Sequence, residues 1–281
     1  MNVKLARKQK ISAFRKIAIG TWRTAYDPTV YGTVELRMDR ALEYIEAFRA
    51  KTGKRVTVSH LAAKAVAAAF RATPSANAIL RFNSLYQRQD VGVFFQVAIV
   101  DDGAEGIDLS GFVMHEVDKK SLTEICSEFQ EKVELVRTRQ DAALERTRKI
   151  MRLMPAFLLP WILRLTSFFA YTLNFNMSLF GVPKDAFGSV MITNVGSLGL
   201  DVAYPPLVHY ARLPMLIALG AIHTVPVVEN GAIVVGKTMK VNVTFDHRFI
   251  DGVHAAAMAK TLRAWIERPF EHFDSVTQET G

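Results

Sequence analysis

Apolar and polar positions change period along this chain, and the changes mark its elements. TVYGTVELRM, from Thr29 to Met38, alternates most regularly over 33–38, as a strand with one buried face does. After Asp39 the apolar residues of ALEYIEAFRAKTG recur at three and four, predicting a helix that stops at Gly53. Val56 to Ala72 forms a second, alanine-rich helix with Thr57 or Ser59 as its cap and Pro74 beyond it. RFNSLYQRQDVGVFFQVAIVDD reads as a hairpin or strand pair, and its run VGVFFQVAIV is apolar enough for a central strand. GFVMHEV is another strand, and Ser121 caps a long amphipathic helix reaching about Arg139. The last third, SVMITNVGSLGL and LIALGAIHTVPVVENGAIVVGKTMKVNVTFDH, holds at least four strand-like runs with a turn at Glu229-Asn230-Gly231. GVHAAAMAKTLRAWIERPF follows as a helix that stops before Pro269. Helices interleaved with strands that follow one another through turns predict an α+β fold with a large mixed sheet in one domain.

Residues 151–181 break this pattern. They are far more apolar than the rest, and Arg164 is the only charge between Pro155 and Gly181. Arg146, Arg148, Lys149 and Arg152 stand just before the stretch. Three readings stay open: a buried or subunit-interface helical pair, an element lying on a membrane surface behind a basic rim, and a bilayer span. Pro155, Pro160, Arg164 and Asn174 count against the span. The net charge of +8 favours anionic partners. Seven Lys or Arg and no acid lie between Met1 and Arg23, an arm that is either solvated or a polyanion contact. No aromatic-interleaved basic strand accompanies it, which argues against nucleic acid. The first residues lack the apolar core of a secretory signal. With 50% hydrophobic residues the chain has material for a large core, which excludes a disordered class. One cysteine, Cys126, excludes a disulfide framework and multi-cysteine metal sites, and is compatible with a cytoplasmic protein.

Of seven histidines, His247 stands out. It closes the long apolar run VNVTFDHRFIDG just before a helix, with Asp251 four residues on and Gly252 after it, where a glycine lets the chain turn sharply. A neutral imidazole fixed there can take a proton from a thiol or hydroxyl attacking a carbonyl. His/Asp pairs at strand ends are also common without chemistry, and Asp251 can instead hold the loop through an arginine.

DHRFIDG resembles the DHRxxDG signature of the dihydrolipoyl acyltransferases of 2-oxoacid dehydrogenase complexes, and the shorter HxxxDG form of the related chloramphenicol acetyltransferases. FRKIAIGTW is similar to that family's opening helix, and VTVSHLAAKAVAAAFRATPSANA to its alanine-rich helix. VGVFFQVAIVD and DKKSLTEI fall where the family has a central strand and the following helix. MITNVGSLG resembles its F-T-[IV]-[ST]-N-x-G segment and PMLIALGAIHTVPVV its A-I-L-[AG]-V-G strand. The likeness spans about residues 11–136 and 186–270.

This resemblance implies a chloramphenicol-acetyltransferase-like, trimer-forming fold, with 1–24 as basic arm and opening helix and 25–281 as one catalytic domain interrupted near 151–181. It implies a CoA-dependent acyltransferase in which His247 is the general base, Thr193 steadies the oxyanion, Asp251 pairs with an arginine, for which Arg15 is the candidate, and Gly252 opens the last helix. Active sites would lie between subunits of a homotrimer, or of a cage of trimers. Acyl-CoA is the expected donor substrate, without a metal and without a lipoyl group on this chain, and the acceptor a small or carrier-bound thiol, hydroxyl or amine. A non-catalytic oligomeric scaffold is the alternative. Three departures bear on the acceptor: Gly20-Thr21-Trp22 replaces the family's arginine-methionine pair, GIDLSGFVMHEV lacks the proline of its G-L-x-x-P-V run, and 151–181 replaces a short polar connection. A hydrophobic or lipid acceptor, and a peripheral membrane contact through 151–181, follow as expectations.

Overall fold

A computed structural model of the chain describes residues 1–7, 12, 27–100, 107–138, 140, 155 and 157–276. Nine strands in this range form two sheets. The larger has the order β2-β9-β8-β7-β5-β6, built from β2 (Thr29–Arg37), β5 (Val93–Val100), β6 (Ile107–Met114), β7 (Val190–Asn194), β8 (Met215–Glu229) and β9 (Ala232–Asp246). β5–β7 and β7–β8 run parallel and the remaining pairs antiparallel, so the expected large mixed sheet is present. The smaller sheet has the order β1-β4-β3, from β1 (Leu5–Arg7), β3 (Ala78–Arg81) and β4 (Ser84–Arg88).

The helices α1 (Asp39–Thr52), α2 (Val58–Ala72), α3 (Leu122–Arg137) and α5 (Gly252–Glu267) cover one face of the large sheet. Leu36, Val241, Ile217 and Ile192 from the strands meet Phe48, Leu61, Ile125 and Leu262 from the helices in one buried core. Local signals account for the helix ends. Gly53 closes α1 at φ 66°, where its N–H donates to Arg49 O. Thr57 is the cap of α2, its N–H donating to His60 Nδ1 at 2.9 Å. Ser121 and Glu124 form a reciprocal capping box on α3. A four-residue α6 (Pro269–His272) follows α5.

Several sequence expectations need correction. β4 and β5 do not pair: Phe82 and Asn83, at φ 46° and 59°, turn β4 back onto β3, and β5 enters the other sheet between β7 and β6. The last third holds three strands rather than four or more, because a bulge between Leu219 and Ile222 lets β8 continue as one ribbon. The first seven residues of the basic arm are not simply solvated. Asn2 and Val3 are buried, β1 pairs with β4, and Val3 N–H donates to Asn174 Oδ1 at 2.6 Å. Arg15, Arg139 and the FRKIAIGTW segment lie outside the described residues.

The apolar stretch forms no helical pair among its described residues. It holds one nine-residue helix, α4 (Leu159–Ser167), and a π-type turn over Phe168–Thr172. Among the described residues no helix is long and apolar enough to cross a membrane, which corrects the bilayer-span reading. Ala170 and Tyr171 pack on Val3, just before β1, and on Ile79 of β3, whereas Phe157, Trp161, Leu165 and Leu179 are exposed.

Candidate active site

His247 lies in the turn that joins β9 to α5. Asp246 ends β9 opposite Thr29, and the His247 N–H donates to Pro28 O at 2.9 Å. The carbonyl of Asp246 accepts the N–H groups of Phe249 and Ile250, both at 3.0 Å, and these two side chains are buried in the core. The Asp246 carboxylate, itself buried, accepts the Arg248 backbone N–H at 2.9 Å and its Nε at 3.0 Å. A further bond runs from Arg248 Nη2 to Asp246 Oδ2 at 2.5 Å. This charge-assisted clamp closes over the one residue between its ends, so the backbone at His247 is held on both sides while the residue stays half-exposed.

Asp251 caps α5. Its Oδ1 accepts the His254 N–H at 3.0 Å, and His254 turns Nδ1 to the same oxygen at 2.6 Å and Nε2 to Ser75 Oγ at 2.8 Å. His254 thereby ties the loop after β9 to the turn that follows α2, a role the sequence shows only as an Asp and a His three residues apart. Gly252 begins α5 without a positive φ, and a Cβ there would meet nothing within 4 Å. The expectation that the chain needs a glycine to turn at this point is therefore corrected: the turn is made by residues 246–250.

Thr193 is half-buried on β7, in register with Ala218 of β8, which faces Asn242 of β9 and through it Thr33 of β2. Cross-strand partners share a face, so Thr193 lies on the side of the sheet away from the helices. Asn242 on this row is buried; its Oδ1 accepts from Thr33 Oγ1 at 2.9 Å and its Nδ2 donates to Asp201 O at 3.0 Å. The loop after Thr193 is seated tightly: a Cβ on Gly196 would fall 2.4 Å from Gly220 O, so two backbones touch at the β8 bulge.

One chain does not bring His247 and Thr193 together. The register puts them five residues apart along the sheet and two strands apart across it. That is about 16 Å by about 10 Å at ordinary strand spacings. Among the described residues no three His, Cys, Asp or Glu side chains stand close enough to hold a metal ion.

The family model described as 2-oxoacid dehydrogenases acyltransferase (catalytic domain) matches residues 5–147 and 184–273. The gap between the two matched parts falls on the apolar stretch. The chain is 24% identical over 249 residues to the dihydrolipoyllysine-residue acetyltransferase component of the pyruvate dehydrogenase complex of Zymomonas mobilis, covering 86% of this chain and 45% of that protein. It spans less than half the length of the curated relatives it matches. The cubic core of the pyruvate dehydrogenase multienzyme complex superposes at a TM-score of 0.64 with 20% identity, over 95% of this chain and 94% of that one. A chloramphenicol acetyltransferase superposes at 0.52 with 13% identity, over 94% and 100%. The large mixed sheet with its helical layer is thus the chloramphenicol-acetyltransferase-like fold, and this chain belongs to the family of the 2-oxoacid dehydrogenase acyltransferase catalytic domain.

Proposed function

We propose that the domain formed by residues 25–281 moves an acyl group from acyl-CoA to a thiol, hydroxyl or amine acceptor, with His247 as general base. The observation that carries this reading is the clamped turn: Asp246, Arg248 and the core-anchored Phe249 and Ile250 hold His247 half-exposed at a strand end. A backbone held in this way at the base needs little reorganisation when the acceptor arrives. His247 takes the acceptor's proton as the acceptor attacks the thioester carbonyl. The Thr193 hydroxyl donates to the resulting oxyanion, a contribution of about 2.7–4 kcal/mol for a preorganised donor. Collapse breaks the carbon–sulfur bond, and the departing CoA thiolate recovers the proton from His247. Asp251 and its partner His254 hold the loop and touch no reacting atom.

The separation of His247 and Thr193 within one chain supports a site completed by a second copy, in a trimer or a cage of trimers. Two measurements test these statements. Release of free CoA thiol from a panel of acyl-CoAs, with dihydrolipoamide and simple alcohols as acceptors, falls at least about 100-fold in His247→Ala. Mixing His247→Ala with Thr193→Ala under conditions that exchange subunits then restores activity, because hybrid interfaces contain one intact site. Absence of His247-dependent release with every donor overturns the catalytic reading and leaves an oligomeric scaffold. Release without complementation overturns the shared site and the part of Thr193 in it.

A further inference from the structure

A cavity of about 630 Å³ lies behind the clamped turn, in the size range of about 300–1,000 Å³ typical of small-molecule sites. Leu163 and Phe168 of the apolar stretch form one wall and Leu207 and Leu213 another. Asp246 and Arg248 reach it from the turn, whereas His247 is not among its lining residues. The first wall comes from the part of the chain that the family model leaves unmatched.

Its charges do not balance. Arg164, Arg212 and Arg248 face it against the one carboxylate of Asp246. Asp246 is committed to Arg248. Arg212 sits at φ 54° and donates Nε to Ser167 Oγ at 3.0 Å, with no carboxylate partner among the described residues. Burial, and then the neighbouring Arg248 cation, lower its pKa from the ordinary guanidinium value. A largely dehydrated cation beside apolar walls costs free energy that an anionic group would recover, and the walls would recover more from a hydrocarbon chain. At the mouth Arg164 lies over the ring of the exposed Trp161, 5.8 Å from its centroid.

We propose that this cavity binds a single-chain amphiphile with an anionic headgroup, a long-chain carboxylate or phosphate, with the headgroup on Arg212 and the chain against Leu163, Leu207, Leu213 and Phe168. The binding does not depend on the acyltransferase reading.

Calorimetric titration of the full chain tests it with four probes: dodecanoate, dodecyl phosphate, dodecanol and butyrate. One or both of the first two bind saturably at one site per chain, and dodecanol and butyrate bind at least tenfold more weakly. Arg212→Met loses at least tenfold for the anionic probe and leaves dodecanol unchanged, a charge-specific loss that misfolding cannot mimic. Leu163→Gln weakens dodecanoate and dodecanol alike, with the far-ultraviolet spectrum of the wild type. Equal affinity for dodecanol, or no effect of Arg212→Met, overturns the headgroup assignment. Binding to anionic vesicles but to no monomeric probe overturns the cavity in favour of a membrane-facing surface. Absence of all binding, with subunits dissociating in Trp161→Glu, overturns it in favour of a second copy seated there. Each of these failures leaves His247-dependent CoA release untouched, so the two readings fail separately.

Discussion

Breaking the ion pair between Arg88 and Asp185 should unfold this protein more readily than any surface substitution. Arg88 ends β4 with its side chain 0% exposed, and its Nη1 donates to Oδ2 of Asp185, whose side chain is 8% exposed. Nε and Nη2 of Arg88 and Oδ1 of Asp185 are buried without hydrogen-bond partners among the described residues. The two charges therefore depend on each other almost entirely. Arg88→Met leaves a buried carboxylate uncompensated, and Asp185→Asn leaves a buried guanidinium; each costs about 3–5 kcal/mol. The double variant removes both charges, and the unsatisfied atoms of the native pair mean that little net stabilisation is lost with it. We expect the double variant to cost less than either single one, so the coupling energy in the cycle is at least about 3 kcal/mol. Asparagine suits position 185 because the native backbone there is at φ 39°, a conformation it tolerates. Urea unfolding gives the three free energies, and thermal melting should show losses of about 6 °C or more for the single variants. Single-variant costs both below about 1 kcal/mol, or strictly additive costs, would refute the argument that these charges are mutually dependent.

Other consequences are open to simpler checks. Burial pushes the His60 imidazole down to about 4 from the ordinary 6.5, so the folded state binds fewer protons than the unfolded chain between these values. Stability contributed by neutral His60 is full above pH 6.5, falls as the pH is lowered, and levels off near 4 after a loss of about 3 kcal/mol. Urea midpoints across this range should slope less in His60→Asn, and an unchanged slope would show that His60 is not the titrating group. Gly196→Ala drives a Cβ to 2.4 Å from Gly220 O, backbone against backbone, and should cost about 1–3 kcal/mol and displace the end of β7. Wild-type melting and turnover in that variant would contradict the close approach. Gly252→Ala meets open space and should stabilise by about 0.4–1 kcal/mol through the unfolded chain. Lost turnover at unchanged stability would instead put a ligand or a second copy against that Cβ.

Much of the architecture follows from short-range pattern. The alternation of TVYGTVELR produces β2 because Leu36 faces the helices while Tyr31 and Thr33 face outward. Ser121 and Glu124, three residues apart, satisfy each other's backbone, and Asn230 and Gly231 take the positive φ angles that return β8 into β9. What escapes such reading is decided at a distance. Phe82-Asn83 carries no glycine to announce its turn, and nothing local says that β4 and β5 belong to different sheets. Gly220-Ala221 looks like a break between strands and is a bulge within one. At the site, DHRFIDG draws attention to His247 and Asp251, but the clamp between Asp246 and Arg248 needs the backbone to curl within three residues. Residues 151–181 have a composition equally suited to a core, an interface and a membrane surface. Only their placement shows a short helix walling a cavity, with Tyr171 buried on one side and Trp161 exposed on the other.

The burial of Asn2 and Val3 against late partners sets an order of events in synthesis. Asn2 and Val3 leave the ribosome well before their partners: Val3 N–H is answered by Asn174, 171 residues later, and Asn2 Oδ1 by the Asp185 N–H, 183 residues later. The strand pairing of Leu5–Arg7 can begin once Arg88 has emerged, but the apolar surface beneath it is covered only when Ala170 and Tyr171 arrive. The small sheet is thus a late closure of high sequence separation, slow to form and, while it waits, a half-covered edge. A nascent chain stalled before Asp185 would present this edge to chaperones.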